Sequence, residues 1–233
     1  MIMVNRLLMS TASILRNEAG NPYSPRKQGA GLADAERAIK TPAYLLVEGN
    51  DKSKLSLGDD PQKTGEYRLT FHLINTSAST LSYALSVITM TEGVSSDGKT
   101  VAEQAYLLSP SVSYEVTNGT LRGNMVTVSG YGDVTVTATV KLSEADREYL
   151  DGKFKNGMYV EGFVTLTAQD CDTDLVIPYL GFYGDWSQAP AFDSADEDEA
   201  SLYPLSIFTN NAAIGTNPYI RTGASGDEYN AFS

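Results

Sequence analysis

The stretch GMYVEGFVTLTAQDCDTDLVIPYLGFYGDW, Gly157 to Trp186, decides the fold. Its first half alternates. Val160, Gly162, Val164, Leu166 and Ala168 share one face, and Tyr159, Glu161, Phe163, Thr165 and Thr167 share the other. Alternation of period two marks a β-strand, because successive side chains leave opposite faces of the pleat. The second half, Leu175 to Tyr183, is apolar almost throughout, which predicts a central strand covered on both sides. Pro178 qualifies that reading: it donates no ladder hydrogen bond, so it demands an edge position or a bulge. The acidic turn Asp170-Cys171-Asp172-Thr173-Asp174 joins the two runs. A lone strand pair is not stable in water, so further strands must cover it.

The sequence upstream supplies them. Tyr67, Leu69, Phe71 and Leu73 alternate with Arg68, Thr70 and His72, and Leu81, Tyr83, Leu85 and Val87 repeat the pattern. Val112 to Thr117, then Val126 with Val128, then Val134, Val136, Ala138 and Val140 add three more runs. Asn118-Gly119, directly after Thr117, predicts a hairpin turn. Ser143-Glu144-Ala145-Asp146 predicts a capping box that opens a short helix ending at Asp151-Gly152. Tyr44 to Asp60 reads as mixed, with turns at Gly49-Asn50-Asp51 and Gly58-Asp59-Asp60-Pro61. About seven strands with one helical insert make an all-β chain, a fibronectin type III- or immunoglobulin-like β-sandwich.

Composition narrows the function. The 233 residues carry 17 Lys and Arg against 29 Asp and Glu, a net charge of -12. Such a chain repels phosphate backbones and anionic lipid, so nucleic acid and membrane surfaces are not expected partners. The single cysteine, Cys171, rules out an intrachain disulfide. No apolar run approaches the roughly 18 residues of a membrane span. Met1 to Leu15 mimics a signal peptide only loosely, since Asn5 and Arg6 interrupt its apolar part.

That opening reads better as a helix, with Val4, Leu7, Leu8 and Thr11 at helical spacing. Asn17 to Gln28 has loop chemistry. Leu32, Ala35, Glu36, Ala38 and Ile39 predict a second helix, stopped by Pro42. Two helices of this size have no core of their own and read as the tail of something larger. Leu7-Leu8-Met9-Ser10-Thr11-Ala12, followed by Tyr23-Ser24-Pro25-Arg26-Lys27-Gln28-Gly29-Ala30-Gly31-Leu32-Ala33-Asp34-Ala35, resembles the C-terminal end of a subtilisin-like protease domain. There a tight Gly-x-Gly turn leads into a closing helix. Asn156 to Val164 and Ile177 to Trp186 resemble the fibronectin type III-like domain that follows the catalytic domain in lactocepin-like bacterial cell-envelope subtilases.

The resemblance implies three parts. Residues 1–43 would be a short helical remnant of the α/β catalytic domain, and 44–192 the sandwich. Residues 193–233 would be an acidic linker and the start of a following β domain. It implies a non-catalytic accessory fragment of a secreted or cell-envelope serine protease, bracing the catalytic domain and helping to position protein substrates. The partners are then the catalytic domain, neighbouring β domains and protein substrate. The rival reading is an independent adhesion module for glycans or proteins.

No catalytic, cofactor-binding or metal residue is expected. The one histidine, His72, lies within a strand, and no Gly-Thr-Ser-Met-Ala nucleophile motif is present, so a subtilisin triad carries over to no position. Cys171 sits in an acidic turn, which disfavours a thiolate. Asp170, Asp172 and Asp174 have the odd spacing of a calcium loop, but Leu175 and Gly181 stand where its Gly and Glu belong, so a plain turn is expected. Asp193, Asp196, Glu197, Asp198 and Glu199 read as a solvated linker, with a hard cation as the alternative. Gly130-x-Gly132 reads as a turn. Tyr179, Phe182, Tyr183 and Trp186 invite a carbohydrate platform, although alternating strand aromatics belong more often to a core. Trp186 is expected to pack at the bottom edge of the sandwich or against the returning N-terminal segment, as a latch between domains, with Ala189-Pro190-Ala191-Phe192 folding back as a lid. The first forty residues are expected to pack poorly and to expose Leu7, Leu8, Leu32 and Ile39.

Overall fold

The computed structural model describes residues 2–96, 102, 104–188, 220–222 and 228–230. In chain order the sandwich strands are β1 (Ala43–Leu46), β2 (Leu55–Asp60), β3 (Glu66–Asn75), β4 (Leu81–Thr91), β5 (Tyr106–Leu107) and β6 (Ser111–Thr117). They continue with β7 (Thr120–Arg122), β8 (Met125–Val128), β9 (Asp133–Lys141), β10 (Met158–Ala168) and β11 (Leu175–Tyr183). The first sheet runs β1-β3-β9-β6, and the second runs β2-β11-β10-β4-β8-β7, with β5 also on β4. Every pairing is antiparallel except β2 with β11. A separate hairpin joins β12 (Ile220–Thr222) to β13 (Glu228–Asn230).

The inner faces are the ones that alternation predicts. Leu69, Phe71, Leu73, Val134, Val136, Ala138, Val140, Val160 and Val164 are fully buried, and Tyr83, Leu85, Tyr179 and Tyr183 nearly so. Gly162 stands opposite Tyr179 in this core. A Cβ there would meet the Ile88 carbonyl oxygen at 1.8 Å and the Tyr179 hydroxyl at 3.0 Å. The missing side chain lets Tyr179 lie across β10 and donate to Thr89 Oγ1 at 2.7 Å.

Several expectations change. The stretch read as mixed, Tyr44 to Asp60, holds most of β1 and all of β2, and turn residues concealed β2. The Asn118-Gly119 turn joins β6 of one sheet to β7 of the other, so it is a crossover and not a hairpin. Pro178 pairs with Phe163 in β10, while β2 joins β11 only from Tyr179 onward, so β11 is an edge at the proline. The capping box forms: Asp146 N donates to Ser143 Oγ at 3.1 Å and Ser143 N to Asp146 Oδ2 at 2.9 Å. It opens the helix Glu144–Lys153, one residue longer than Asp151-Gly152 predicts.

Ahead of the sandwich lie α1 (Ile2–Ser10), α2 (Pro25–Gln28) and α3 (Ala35–Lys40), which makes Glu144–Lys153 α4. The single turn α2 was hidden in the stretch read as loop. Leu32 lies outside α3 and forms a bridge with Ser13. The two glycines of the Gly-x-Gly turn are used as its chemistry demands: φ is 65° at Gly29 and 121° at Gly31. A Cβ on Gly31 would meet the Ser13 carbonyl oxygen at 2.3 Å.

Candidate functional site

The feature that stands out chemically is the outer face of the second sheet, where the N-terminal segment lies. Strand alternation sends Ile88 and Met90 of β4, Tyr159, Glu161 and Phe163 of β10, and Val176 and Phe182 of β11 to that face. Met90, Phe163 and Val176 form a small second core with Ala12 and Ala30, flanked by Met9, Ile14 and Ala105. Small alanines on the segment allow its backbone to come close to the strands.

One carboxylate lies among these apolar side chains. Glu161 is 1% exposed. A buried charge is costly unless it is paired and hydrogen-bonded. Arg26 provides the pairing as a fork: Nε lies 3.1 Å from both Glu161 oxygens, and Nη2 lies 2.8 Å from Oε1. The same Nη2 also binds Glu92. Burial works against the Arg26 charge, but hydrogen bonding to and attraction from Glu161, and then Glu92, outweigh it and hold the guanidinium above the usual arginine range. The guanidinium carbon also lies 4.3 Å from the Tyr159 ring centroid.

Local sequence aims that arginine. Ser24 caps α2 by accepting from Arg26 N at 3.1 Å, with Pro25 in the first turn. Gln28 clamps the loop: its Nε2 donates to Tyr23 O at 2.6 Å and its Oε1 accepts from Leu15 N at 2.7 Å. A second anchor is Ser10 at the end of α1, fully buried, whose Oγ accepts from Leu45 N of β1 at 2.9 Å. A third is Arg37 of α3, which donates to Ser13 Oγ at 2.9 Å and to Asp174 O in the β10–β11 turn at 3.1 Å.

The expected poor packing of the first forty residues therefore fails for Ser10, Thr11, Ala12 and Ala30, which are buried, and for Leu7 and Leu8, which are half-buried. It holds for Leu32, 61% exposed, and Ile39, 83% exposed.

The remaining candidates are dispersed. His72 faces away from the core on the first sheet, its Nδ1 2.8 Å from Asp133 Oδ1. Cys171 is half-buried, its Sγ 3.4 Å from the Tyr83 hydroxyl. Asp174 accepts from Ala168 N at 2.9 Å and so closes the turn expected of Asp170–Asp174. Among the described residues no cluster of three His, Cys, Asp or Glu is placed to hold a metal ion. Asp193 to Glu199 and the segment Ala189 to Phe192 lie outside the described residues.

The four-ring carbohydrate platform does not form. Tyr179 and Tyr183 point inward and are 1% exposed, and Phe182 is 6% exposed. Trp186 is 58% exposed, which corrects its expected burial. It nevertheless touches Phe182 and Tyr159, with centroids 5.2 and 5.5 Å away. The sequence concealed the Arg26–Glu161 pair. The one available signal was a carboxylate amid the apolar side chains of an outward face.

A family model described as an Fn3-like domain matches residues 55–180, more than half of the chain. The chain belongs to the Fn3-like family. Relatives of this Fn3-like chain are proteases. The C5a peptidase of Streptococcus pyogenes is 32% identical over 201 residues, 83% of this chain and 16% of that protein. The PIII-type proteinase of Lactococcus lactis subsp. cremoris is 26% identical over 210 residues, 88% of this chain and 10% of that protein. The Fn3-like chain thus spans a small part of the curated relatives it matches. The resemblance read from Asn156–Val164 and Ile177–Trp186 agrees with both comparisons.

Proposed function

We propose that this chain is a non-catalytic accessory fragment of a secreted or cell-envelope subtilisin-like serine protease. Its N-terminal segment, residues 1–43, is the closing part of the catalytic domain. The sandwich that follows it braces that domain and helps to position protein substrates. The observation that carries this reading is the Arg26 fork on Glu161. A buried carboxylate of the Fn3-like domain takes its partner from the stretch that resembles the end of a protease domain. The kinship with two kinds of protease supports the same order of parts.

The exposed surface of the segment fits this role. Ile2, Met3, Val4, Leu32 and Ile39 are each at least 45% exposed. They lie on the part of the chain whose other residues seat on the sandwich, and apolar exposure of that kind marks an interaction surface. On this reading the surface belongs against the body of the catalytic domain, and the seat transmits its position to the sheet.

Two protease assays on casein test this reading, one with the 233-residue chain alone and one with the chain joined to whatever is encoded directly upstream of Met1. The proposal expects no cleavage from the first. It expects cleavage from the second, with Glu161→Gln lowering the temperature at which that activity is lost. Cleavage by the chain alone, abolished by a point change within it, would overturn the proposal.

A further inference from the structure

We propose that Trp186 and its neighbours form a binding site for a cationic side chain, arginine above all, presented by a basic protein segment. The inference does not rest on the protease reading. Trp186 keeps more than half of its surface in solvent, yet it is held firmly. Its backbone N donates to Asp59 Oδ2 at 2.8 Å. Ser187 N and Oγ donate to Asp185 Oδ1 at 2.9 and 2.6 Å, which closes the short turn Trp186–Gln188. The ring leans on Phe182 at 85° and on Tyr159 at 38°. An aromatic side chain already ordered in this way loses little freedom when a ligand arrives.

Three ligand chemistries use an exposed tryptophan: a sugar face, an apolar side chain and a cation. The ring angles leave a sugar one flat ring only, because Phe182 stands nearly perpendicular to Trp186 and Tyr159 is tilted from it by 38°. The charges favour a cation. The Asp59 carboxylate binds the Trp186 backbone N, and the whole chain carries -12. The same cluster already holds a guanidinium: Arg26 sits over Tyr159, which touches Trp186. Arginine suits the site better than lysine because its planar, weakly hydrated head stacks on an indole while donating to a carboxylate.

Trp186 is the only tryptophan, so its emission reports on this place alone. The full chain is titrated with a short Gly-Arg repeat peptide, with the same peptide carrying Glu for Arg, and with a soluble β-glucan oligosaccharide. A saturable change in emission with the arginine peptide only, weakened by salt, is expected. Calorimetry should show Trp186→Ala lowering the affinity about three- to fivefold, as for an exposed cation–π contact. Asp59→Asn, which keeps an oxygen for the Trp186 N–H, should lower it also with an unchanged melting midpoint. An emission response to the glucan or to the Glu peptide overturns the proposal. So does unaltered arginine-peptide affinity in Trp186→Ala, which would assign the binding to general attraction by the acidic chain.

Discussion

At the scale of single residues, the junction depends on Glu161. Without Arg26 its carboxylate would stay between Met90 and Leu180, its cross-strand neighbours, with the desolvation cost unmet. Arg26→Ala should destabilise the chain by about 3 kcal/mol, the low end for a broken buried pair, since water reaches the partly exposed arginine. Arg26→Lys should recover only part of this, because an ammonium cannot fork onto two oxygens. Glu161→Gln should cost less than Arg26→Ala, since an amide tolerates burial better than an unpaired charge. Urea denaturation of both single variants and the double variant gives the coupling, expected at about 1.5 kcal/mol or more. Additive losses would mean that the two side chains merely lie near each other. Alternation assigned Glu161 its face, but nothing local names a partner 135 residues away.

At the scale of elements, strands that bury one face were legible, and elements that borrow their stability were not. β3 and β9 alternate in burial over ten and nine residues, and β4 and β10 run for eleven residues each, enough for a period to stand out. β1 has only four residues and almost no polar side. β2 ends in Gly58-Asp59-Asp60, turn chemistry in any sequence reading. It is a strand because it pairs along one side with β11, and Asp60 then accepts from Gly65 N at 2.7 Å to start the return toward β3. α2 is a single turn, too short for any period, and exists through its Ser24 cap and Pro25. The N-terminal segment looked coreless because its core is the outer face of another element. Ser10 illustrates the dependence: its hydroxyl meets the Leu45 N–H where no water reaches. Ser10→Ala should lower stability by about 1–3 kcal/mol, the cost of an orphaned buried donor, as read by the shift in denaturation midpoint. A loss near zero would show that the α1–β1 contact does not need this bond.

At the scale of the whole molecule, the sandwich should lose stability in alkali. Burial, above all, holds the Tyr67, Tyr83 and Tyr179 hydroxyls well above the usual tyrosine range. Burial and then the nearby Asp151 carboxylate push Tyr183 up to about 12. The folded chain keeps these protons where an unfolded chain, titrating near 10, has lost them. Their contribution is therefore complete below about pH 10 and is lost as pH rises through the folded values, at about 1.4 kcal/mol per pH unit for each tyrosine. Stability measured by urea should thus fall steeply above about pH 10, with tyrosinate absorbance rising in the same transition. A solvent-exposed tyrosine ionises near about pH 10 even in a folded chain; ionisation of the full tyrosine complement in a chain that stays folded would contradict the tight inner packing.

The account's central claim is that the N-terminal segment and the Fn3-like sandwich unfold as one body, joined at Arg26 and Glu161. Hydrogen exchange of the intact chain tests it most directly. Ser13 N and Leu32 N bond across the segment at 2.9 and 2.8 Å, and Tyr23 N bonds to Leu15 O at 3.0 Å. The account predicts that these amides exchange as slowly as those of Val164 and Ile177 in the paired strands. It also predicts that Glu161→Gln speeds the former while leaving the latter slow. Rapid exchange throughout residues 4–40 of the unsubstituted chain, beside protected β10 and β11, would contradict it.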